Sequence, residues 1–274
     1  MPTFLYTRPT DRYDGSSVLP DFSLGRFSVS AGTADPAYPV ANLVDGRPEQ
    51  PAKLLETTNC AWLCEFPLAQ HMGLVGIINH NFDPGLQVWL SGNATNNWTS
   101  PSYSFPFVVP ERRLDRFTTN LWVVVNKTYQ FWRLTVLGRA NSKPISVGEW
   151  AMYHTVRDLG VRNIKWGSSR HWRKPSIVHE TEMGVRRAYT IGSTFRSLEV
   201  AIQPTDLGIR DVEDWYRSAD GNVRPFLVVP STLDADAEAM LMTFTEADQP
   251  YTREVRNYNT ASLSLRELSP GLYP

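Results

Sequence analysis

Residues 72 to 92 read MGLVGIINHNFDPGLQVWLSG, and this stretch decides the fold class. The runs LVGIIN (74 to 79) and LQVWLS (86 to 91) each have the length of a strand and are rich in Val, Ile, Leu and Trp. Turn-forming residues lie between them in the segment HNFDPG. The stretch therefore predicts two consecutive β-strands joined by a turn.

Similar runs continue on both sides of this stretch. They are 60 to 66 (CAWLCEF), 121 to 125 (LWVVV) and 130 to 137 (QFWRLTVL), with a further short strand within 26 to 48. No helical pattern intervenes, and 20 Pro and 17 Gly are spread along the chain. Short strands separated by turn signals favour an antiparallel sandwich. We therefore predict that residues 1 to 155 form a β-sandwich domain.

The last part of the chain has a different pattern. Alternation predicts a strand over 192 to 204, and the helical spacing of Ile209, Val212 and Ala219 predicts one helix over about 206 to 219. Four more strand candidates follow, at 224 to 230, 239 to 247, 252 to 258 and 260 to 268. We predict a second β-sandwich with one helix over residues 180 to 274, joined to the first by a connector or arm at 156 to 179. The predicted fold class is thus mainly β with two sandwich domains.

The composition limits the classes of function. The 274 residues are 42% hydrophobic and 20% charged, which is typical of a globular protein and long enough for two domains. A formal charge of −1 lacks the basic field of general nucleic-acid binders, so no nucleic-acid specificity is expected. No stretch approaches the roughly 20 consecutive apolar residues of a membrane span. A signal peptide is not expected either, and the protein is expected to be made in the cytoplasm.

No motif for catalysis, metal binding or cofactor binding is present. The five His do not occur in HExxH or another paired pattern, and P-loop, GxGxxG and GxSxG motifs are missing. Cys60 and Cys64 would lie about 13 Å apart on one strand, beyond disulfide reach, so they predict reduced, buried thiols. We predict a protein that is not an enzyme and has no metal or cofactor. A hydrolase whose acids converge from distant strands stays open as an alternative.

The segment Asn79-His80-Asn81 ends the first strand of the opening stretch. These residues could form a catalytic rim or only close a buried strand. A histidine base needs an orienting partner and a nucleophile, and the sequence shows neither beside His80. We interpret His80 as structural, with the two Asn holding the turn into FDPG.

Three segments together resemble the galactose-binding-like, or discoidin-type, jelly roll: ANLVDGRP (41 to 48), NCAWLCEFPLA (59 to 69) and the opening stretch, 72 to 92. Asp45 and Gly46 match the N-L-x-D-G turn of that pattern, whereas PLA replaces its usual acidic step. The resemblance implies a jelly roll over residues 1 to 155. Domains of this type occur in carbohydrate-binding modules and on phage tails.

A carbohydrate-binding site is one implication of this resemblance. Sugar contacts would come from Asp45 and Arg47 through hydrogen bonds and from Trp89 and Trp98 through stacking, with Tyr103 and Trp122 as further stacking candidates. Aromatic residues of such a domain are more often part of its core than of a binding site.

The second half is similar to the ring-forming β-sandwich of tail-tube-like and distal tail proteins of long-tailed bacteriophages. The likeness is carried by Gly221, Pro225 to Pro230, Asn259, Leu263, Leu265, Glu267, Pro270 and Gly271. It implies a structural virion component at the tail or tail tip, made in the host bacterial cytoplasm. Its partners would be other copies, in a ring of six or three, and other phage tail proteins.

A basic segment with tryptophans, 161 to 177, is the predicted subunit interface. It contributes Trp166, Arg170, Trp172, Arg173 and Lys174, and its acidic partners on a neighbouring copy would be Asp234 and Asp236. Basic residues between indoles could also grip a nucleic-acid strand, but the neutral charge of the chain favours an interface. The sequence thus favours a phage tail component, and the alternative is a carbohydrate-binding module for host surface glycans.

Overall fold

The computed structural model describes residues 4–12, 25–109, 120–159, 169–173, 176–180, 186–190, 195–202, 206–220, 222–230, 239–245, 251–255 and 258–268. Within these residues the strands, in chain order, are β1 (Leu5–Tyr6), β2 (Arg26–Ala31), β3 (Ala52–Lys53), β4 (Cys60–His80), β5 (Gln87–Asn93), β6 (Tyr103–Val108), β7 (Leu121–Leu137), β8 (Ser146–Tyr153), β9 (Arg157–Asp158), β10 (Ser169–Arg173), β11 (Ser176–Glu180), β12 (Arg186–Thr190), β13 (Phe195–Ile202), β14 (Phe226–Val229), β15 (Met240–Phe244), β16 (Tyr251–Val255) and β17 (Tyr258–Glu267). The helix α1 spans Asp206–Ser218. The prediction of a mainly β chain with one helix is confirmed.

The first sheet is antiparallel and has the order β3-β8-β4-β7-β5-β6, with β2 paired to β4. At one end, β4 pairs with β7 through residues 60 to 65 and 131 to 136. Here β2 pairs with the other edge of β4, and β5 pairs with the other edge of β7. The other ends of the same two strands pair with each other, and β4 pairs there with β8. The long strands therefore belong to two layers: β2-β4-β7-β5-β6 and β3-β8-β4-β7. The buried residues of both layers form one core, as in a β-sandwich.

The boundaries of β4 and β7 differ from the sequence prediction. The prediction placed separate strands at 60 to 66 and 74 to 79, and at 121 to 125 and 130 to 137. Each of these pairs is one continuous strand. The register between β4 and β7 shifts between Glu65 and Gln70 and again between Met72 and Leu74. Extra residues at a bulge bend a strand without ending it. The apolar runs were therefore located correctly, but the bulged segment between them was interpreted as a break.

The second sheet has the order β10-β13-β17-β15-β14-β1-β9, with β16 paired to β17, while β11 and β12 pair separately. One face of this sheet packs on α1. Trp215 of the helix is fully buried, and its ring centroid lies 4.1 Å from that of Tyr6, 4.9 Å from Phe226 and 5.1 Å from Phe244. The aromatic cluster anchors the helix to β1, β14 and β15.

The other face of the second sheet packs on the first sheet. Leu227, Val229 and Leu241 form one buried cluster with residues of β4 and β8, among them Leu74 and Ile78. A Cβ atom on Gly76 would lie 2.8 Å from Leu227 Cδ2, so the two sheets approach closely there. This arrangement explains the apolar run LVGIIN, because a strand covered on both faces has no need to alternate.

The N-terminal strand β1 lies in the second sheet, between β14 and β9. Leu5 and Tyr6 thus pair with a strand more than 200 positions away, although they precede the first sandwich. Residues 169 to 173, which the sequence placed in a connector or arm, form the edge strand β10, paired to β13. The domain limits at 155 and 180 stay predictions.

Both cysteines are free and buried, as the sequence predicted. Burial raises the pKa of the Cys60 thiol to about 12 and raises that of Cys64 well above its usual value. Within the described part of the chain, no helix has the length and apolar character needed to cross a membrane.

Candidate functional site

The outward side of the five-stranded layer carries the candidate site, and we call it the outer face. On β5 and β7 the residues Val88, Leu90, Leu134 and Val136 point into the core. Because side chains alternate along a strand, the residues between them point outward. Trp89 pairs with Thr135 on this side, and Ser91 pairs with Arg133. The side chains of one tryptophan, one arginine, one serine and one threonine therefore lie on the same side of the layer.

Trp98 reaches the outer face from the loop that follows β5. The loop is fixed by Asn93, which is 8% exposed. Asn93 Nδ2 donates to the Asn97 carbonyl at 2.6 Å, and Asn93 Oδ1 accepts from Ser102 Oγ at 2.8 Å. The Trp98 indole N–H donates to Asn96 Oδ1 at 2.7 Å, which orients the ring. A buried amide at the strand end thus positions an exposed loop.

Arg133 is the charged centre of the outer face. Its guanidinium lies 5.6 Å from the ring centroid of Trp98, within the range of a cation–π contact. Its Nε donates to Ser30 Oγ at 3.1 Å. The pKa of Arg133 is lowered because the group is partly removed from water. Trp89, Trp98 and Arg133 are each half-buried, so their rings and guanidinium remain accessible at the surface.

Two of the four predicted sugar contacts lie on the same face, and their contact with a sugar stays a prediction. Trp89 and Trp98 both belong to the outer face. Asp45 and Arg47 lie elsewhere, on a turn where a Cβ atom on Gly46 would lie 3.8 Å from Pro225 Cγ, and both residues are exposed. Asp45 Oδ1 accepts from the backbone N–H of Arg47 at 2.8 Å, and burial raises the pKa of the Asp45 carboxyl. This hydrogen bond stabilises the turn, and sugar binding by Asp45 and Arg47 stays a prediction.

The same turn helps to hold a buried ion pair. Arg12 binds Glu149 through a charge-assisted hydrogen bond, and the Gly46 backbone N–H donates to the other carboxylate oxygen of Glu149 at 3.1 Å. Glu149 is 0% exposed and Arg12 is 6% exposed. The N-terminal segment, the turn and β8 are thus joined at one point.

Residues that sequence reasoning missed are Arg133 and Ser30. The available signal was Arg133 itself, a single cation within the apolar strand sequence FWRLTVL. A charged side chain in the middle of such a strand points away from the core, so it indicates that the outer side of the strand is a polar surface. Ser30 carries no comparable signal, because its position beside Arg133 depends on the pairing of β2 with β4.

The segment Asn79-His80-Asn81 closes the end of β4, as interpreted from the sequence. His80 is 4% exposed, and its Nδ1 accepts the Phe82 backbone N–H at 3.2 Å. The Asn81 side chain donates to the Pro144 carbonyl at 2.7 Å and accepts from Ser146 N at 2.9 Å. Among the residues that the structure describes, no three His, Cys, Asp or Glu side chains are grouped as metal ligands.

The rings of His71 and His154 contact each other, with their centroids 5.3 Å apart. The pKa of His154 is lowered by burial and by the nearby charge of His71, and Asp11 opposes the shift. We expect the free energy of unfolding to fall as the pH drops below about 6.5, since the unfolded chain then binds more protons. Urea unfolding at pH 7 and pH 5.5 measures this. His154→Gln should flatten the dependence between these two values; an equal fall in both proteins would contradict the assignment.

The structure does not test the predicted subunit interface. Trp166, Lys174, Asp234 and Asp236 lie outside the described residues. Arg170, Trp172 and Arg173 lie on the edge strand β10, which is described by its backbone pairing. The interface stays a prediction.

No family model matches the chain, and no curated protein matches it significantly. Solved structures that align with about half of this chain include CBM32-3 from a family 31 glycoside hydrolase from Clostridium perfringens, at 13% identity and TM-score 0.38, with 55% of this chain and 95% of that chain covered. A Streptococcus pneumoniae fucose binding module, SpX-3, aligns at 14% identity and TM-score 0.37, covering 48% and 94%. Chitosan-binding module 2 of a chitosanase/glucanase from Paenibacillus sp. IK-5 aligns at 12% identity and TM-score 0.36, covering 47% and 95%.

The sandwich architecture rests on the strand pairing of the chain itself. The likeness to phage tail proteins and the absence of enzyme activity stay predictions.

Proposed function

We propose that this chain is a carbohydrate-binding protein and that the glycan binds on the outer face. The observation that carries the proposal is that the Trp98 ring lies 5.6 Å from the Arg133 guanidinium and that Trp89 lies on the same face, with all three residues half-buried. Ligand sites combine apolar ring surfaces with a few polar groups that fix orientation. The outer face has both components.

The aromatic residues divide into two groups that support this assignment. Trp62, Trp132 and Trp150 are 0% exposed and belong to the core. Trp89 and Trp98 lie outside that core. An indole ring offers a flat apolar surface that suits the C–H face of a sugar ring, and nearby polar groups can bind its hydroxyls. Ser30, which is exposed, places such a hydroxyl on the same side of the layer.

The structural role in a phage tail, which the sequence favoured, is not the function we propose. Its interface residues lie outside the described residues or on a strand described by its backbone, so no contact of this structure supports it. The carbohydrate-binding alternative has a described surface with matching chemistry.

Removal of the Trp98 ring is expected to weaken glycan binding at least tenfold, which corresponds to about 1.4 kcal/mol. The reason is that Trp98→Ala removes the stacking surface and leaves the loop anchor Asn93 in place. A glycan array identifies ligands of the unaltered protein, and isothermal titration then compares the two proteins with the tightest of them.

Tyr38→Ala is the matched control. Tyr38 is also an exposed aromatic residue under a cation, since Lys53 Nζ lies 3.5 Å from its ring centroid, but it lies outside the outer face. This variant should bind as the unaltered protein does. The proposal fails if no glycan binds, or if Trp98→Ala binds the array ligand as tightly as Tyr38→Ala.

A further inference from the structure

Arg133 has an unusual environment for a charged residue. Its cross-strand neighbours are Leu63 on β4 and Ser91 on β5, both of them uncharged. Its guanidinium contacts Ser30 Oγ and the Trp98 ring, which are also uncharged. The ion pairs found among the described residues, with nitrogen to oxygen distances up to 4.0 Å, do not include Arg133.

The other charges of the outer face are arranged differently. Glu65 on β4 is directly opposite Arg26 on β2. On its other side Glu65 is opposite Phe131, two residues before Arg133 on β7. Among its described strand residues the face therefore carries two cations, Arg26 and Arg133, and one anion, Glu65, which is an excess of one positive charge.

A partly desolvated cation without an anionic partner is costly, and an arriving anion offsets that cost. Guanidinium presents five N–H donors in a flat fork that matches a carboxylate or a sulfate. In Arg133 only Nε is occupied by a hydrogen bond to a described residue, at Ser30. The guanidinium carbon lies 5.6 Å from the Trp98 ring centroid, so the Nη groups are near enough to donate to an anionic group on a sugar in contact with Trp98.

We infer that the outer face selects acidic glycans, meaning sugars that carry a carboxylate or a sulfate, and that Arg133 binds the anionic group while Trp98 contacts the ring. This inference rests on the proposed function, because it names the ligand class of the same site. It gives Arg133 the role of a specificity residue, whereas Trp98 supplies affinity for any sugar ring.

Two pairs of probes that differ in charge test the inference. One pair is hexagalacturonate and its methyl ester, and the other is a sulfated carrageenan oligosaccharide and a neutral agarose oligosaccharide. At least one acidic probe should bind the protein tenfold or more tighter than its neutral counterpart. The preference should weaken when NaCl is raised from 50 to 500 mM, because salt screens charge interactions.

The variants Arg133→Gln and Arg133→Lys distinguish the contribution of the positive charge from that of the guanidinium geometry. Arg133→Gln should bind both members of a pair equally, and Arg133→Lys should keep part of the preference because it keeps the charge but not the fork. Melting temperatures close to that of the unaltered protein establish that both variants are folded. If either variant has a markedly lower melting temperature, the inference is tested by the acidic and neutral probes on the unaltered protein alone.

The outcomes separate the inference from the proposed function. Neutral probes or neutral array glycans that bind as tightly as the acidic probes would overturn the acidic preference and leave carbohydrate binding in place. An acidic preference that persists in folded Arg133→Gln would overturn the role of Arg133. Failure of every glycan to bind would overturn both.

Discussion

Arg12→Ala is expected to destabilise the protein by about 3 to 5 kcal/mol, the usual cost of removing one partner from a buried ion pair. Glu149 is fully buried on β8, and the substitution leaves its carboxylate without the guanidinium that neutralises it. The loss should be large because Arg12 also connects the N-terminal segment to β8, where it pairs with Tyr153. Urea unfolding followed by tryptophan fluorescence measures the change.

A double variant and an exposed ion pair are the controls. Arg12→Met with Glu149→Leu removes both charges and should recover most of the loss, since no buried charge is left unpaired. Arg217→Ala breaks the ion pair with Glu213 on the solvent side of α1, where the Arg217 side chain is 75% exposed, and should change stability by less than about 0.5 kcal/mol. Equal effects of Arg12→Ala and Arg217→Ala would contradict the buried pair.

Trp150→Ala is expected to cost about 3 to 5 kcal/mol of stability, as large aromatic truncations in a core usually do. Trp150 is fully buried between the two layers, opposite Ile77 on β4 and edge-to-face with Phe27 at 5.7 Å between ring centroids. Its removal leaves a cavity that surrounding strands cannot close. Differential scanning calorimetry measures the change as a lower melting temperature.

Trp98→Ala is the matched comparison for this substitution. Both changes remove an indole from the first sandwich, but Trp98 lies outside the core. Trp150→Ala should reduce stability, and Trp98→Ala should reduce glycan binding with little change in melting temperature. A reversed pattern would show that the core and the outer face have been assigned the wrong way round.

The sequence located most strands because their length and composition are local properties. It did not show that 60 to 66 and 74 to 79 are one strand, since the bulge after Glu65 depends on pairing with β7. It also did not show which partner covers the second face of LVGIIN. That partner is the sheet containing Leu227, which lies about 150 residues further along the chain.

The site was predictable in part. Trp89 and Trp98 were identified, and the structure places both on the outer face. Asp45 was assigned to the same site but lies on a separate turn, because a motif gives a turn its shape and not its neighbours. Arg133 was missed, since its unpaired state becomes visible only when its cross-strand neighbours are known.

The most direct test of carbohydrate binding on the outer face is a crystal structure of the protein with the glycan that binds most tightly. The account predicts a sugar ring in contact with Trp98 and an anionic oxygen within hydrogen-bonding distance of the Arg133 guanidinium. A glycan bound at the turn Asp45 to Arg47, or at any surface that lacks Trp98 and Arg133, would contradict it.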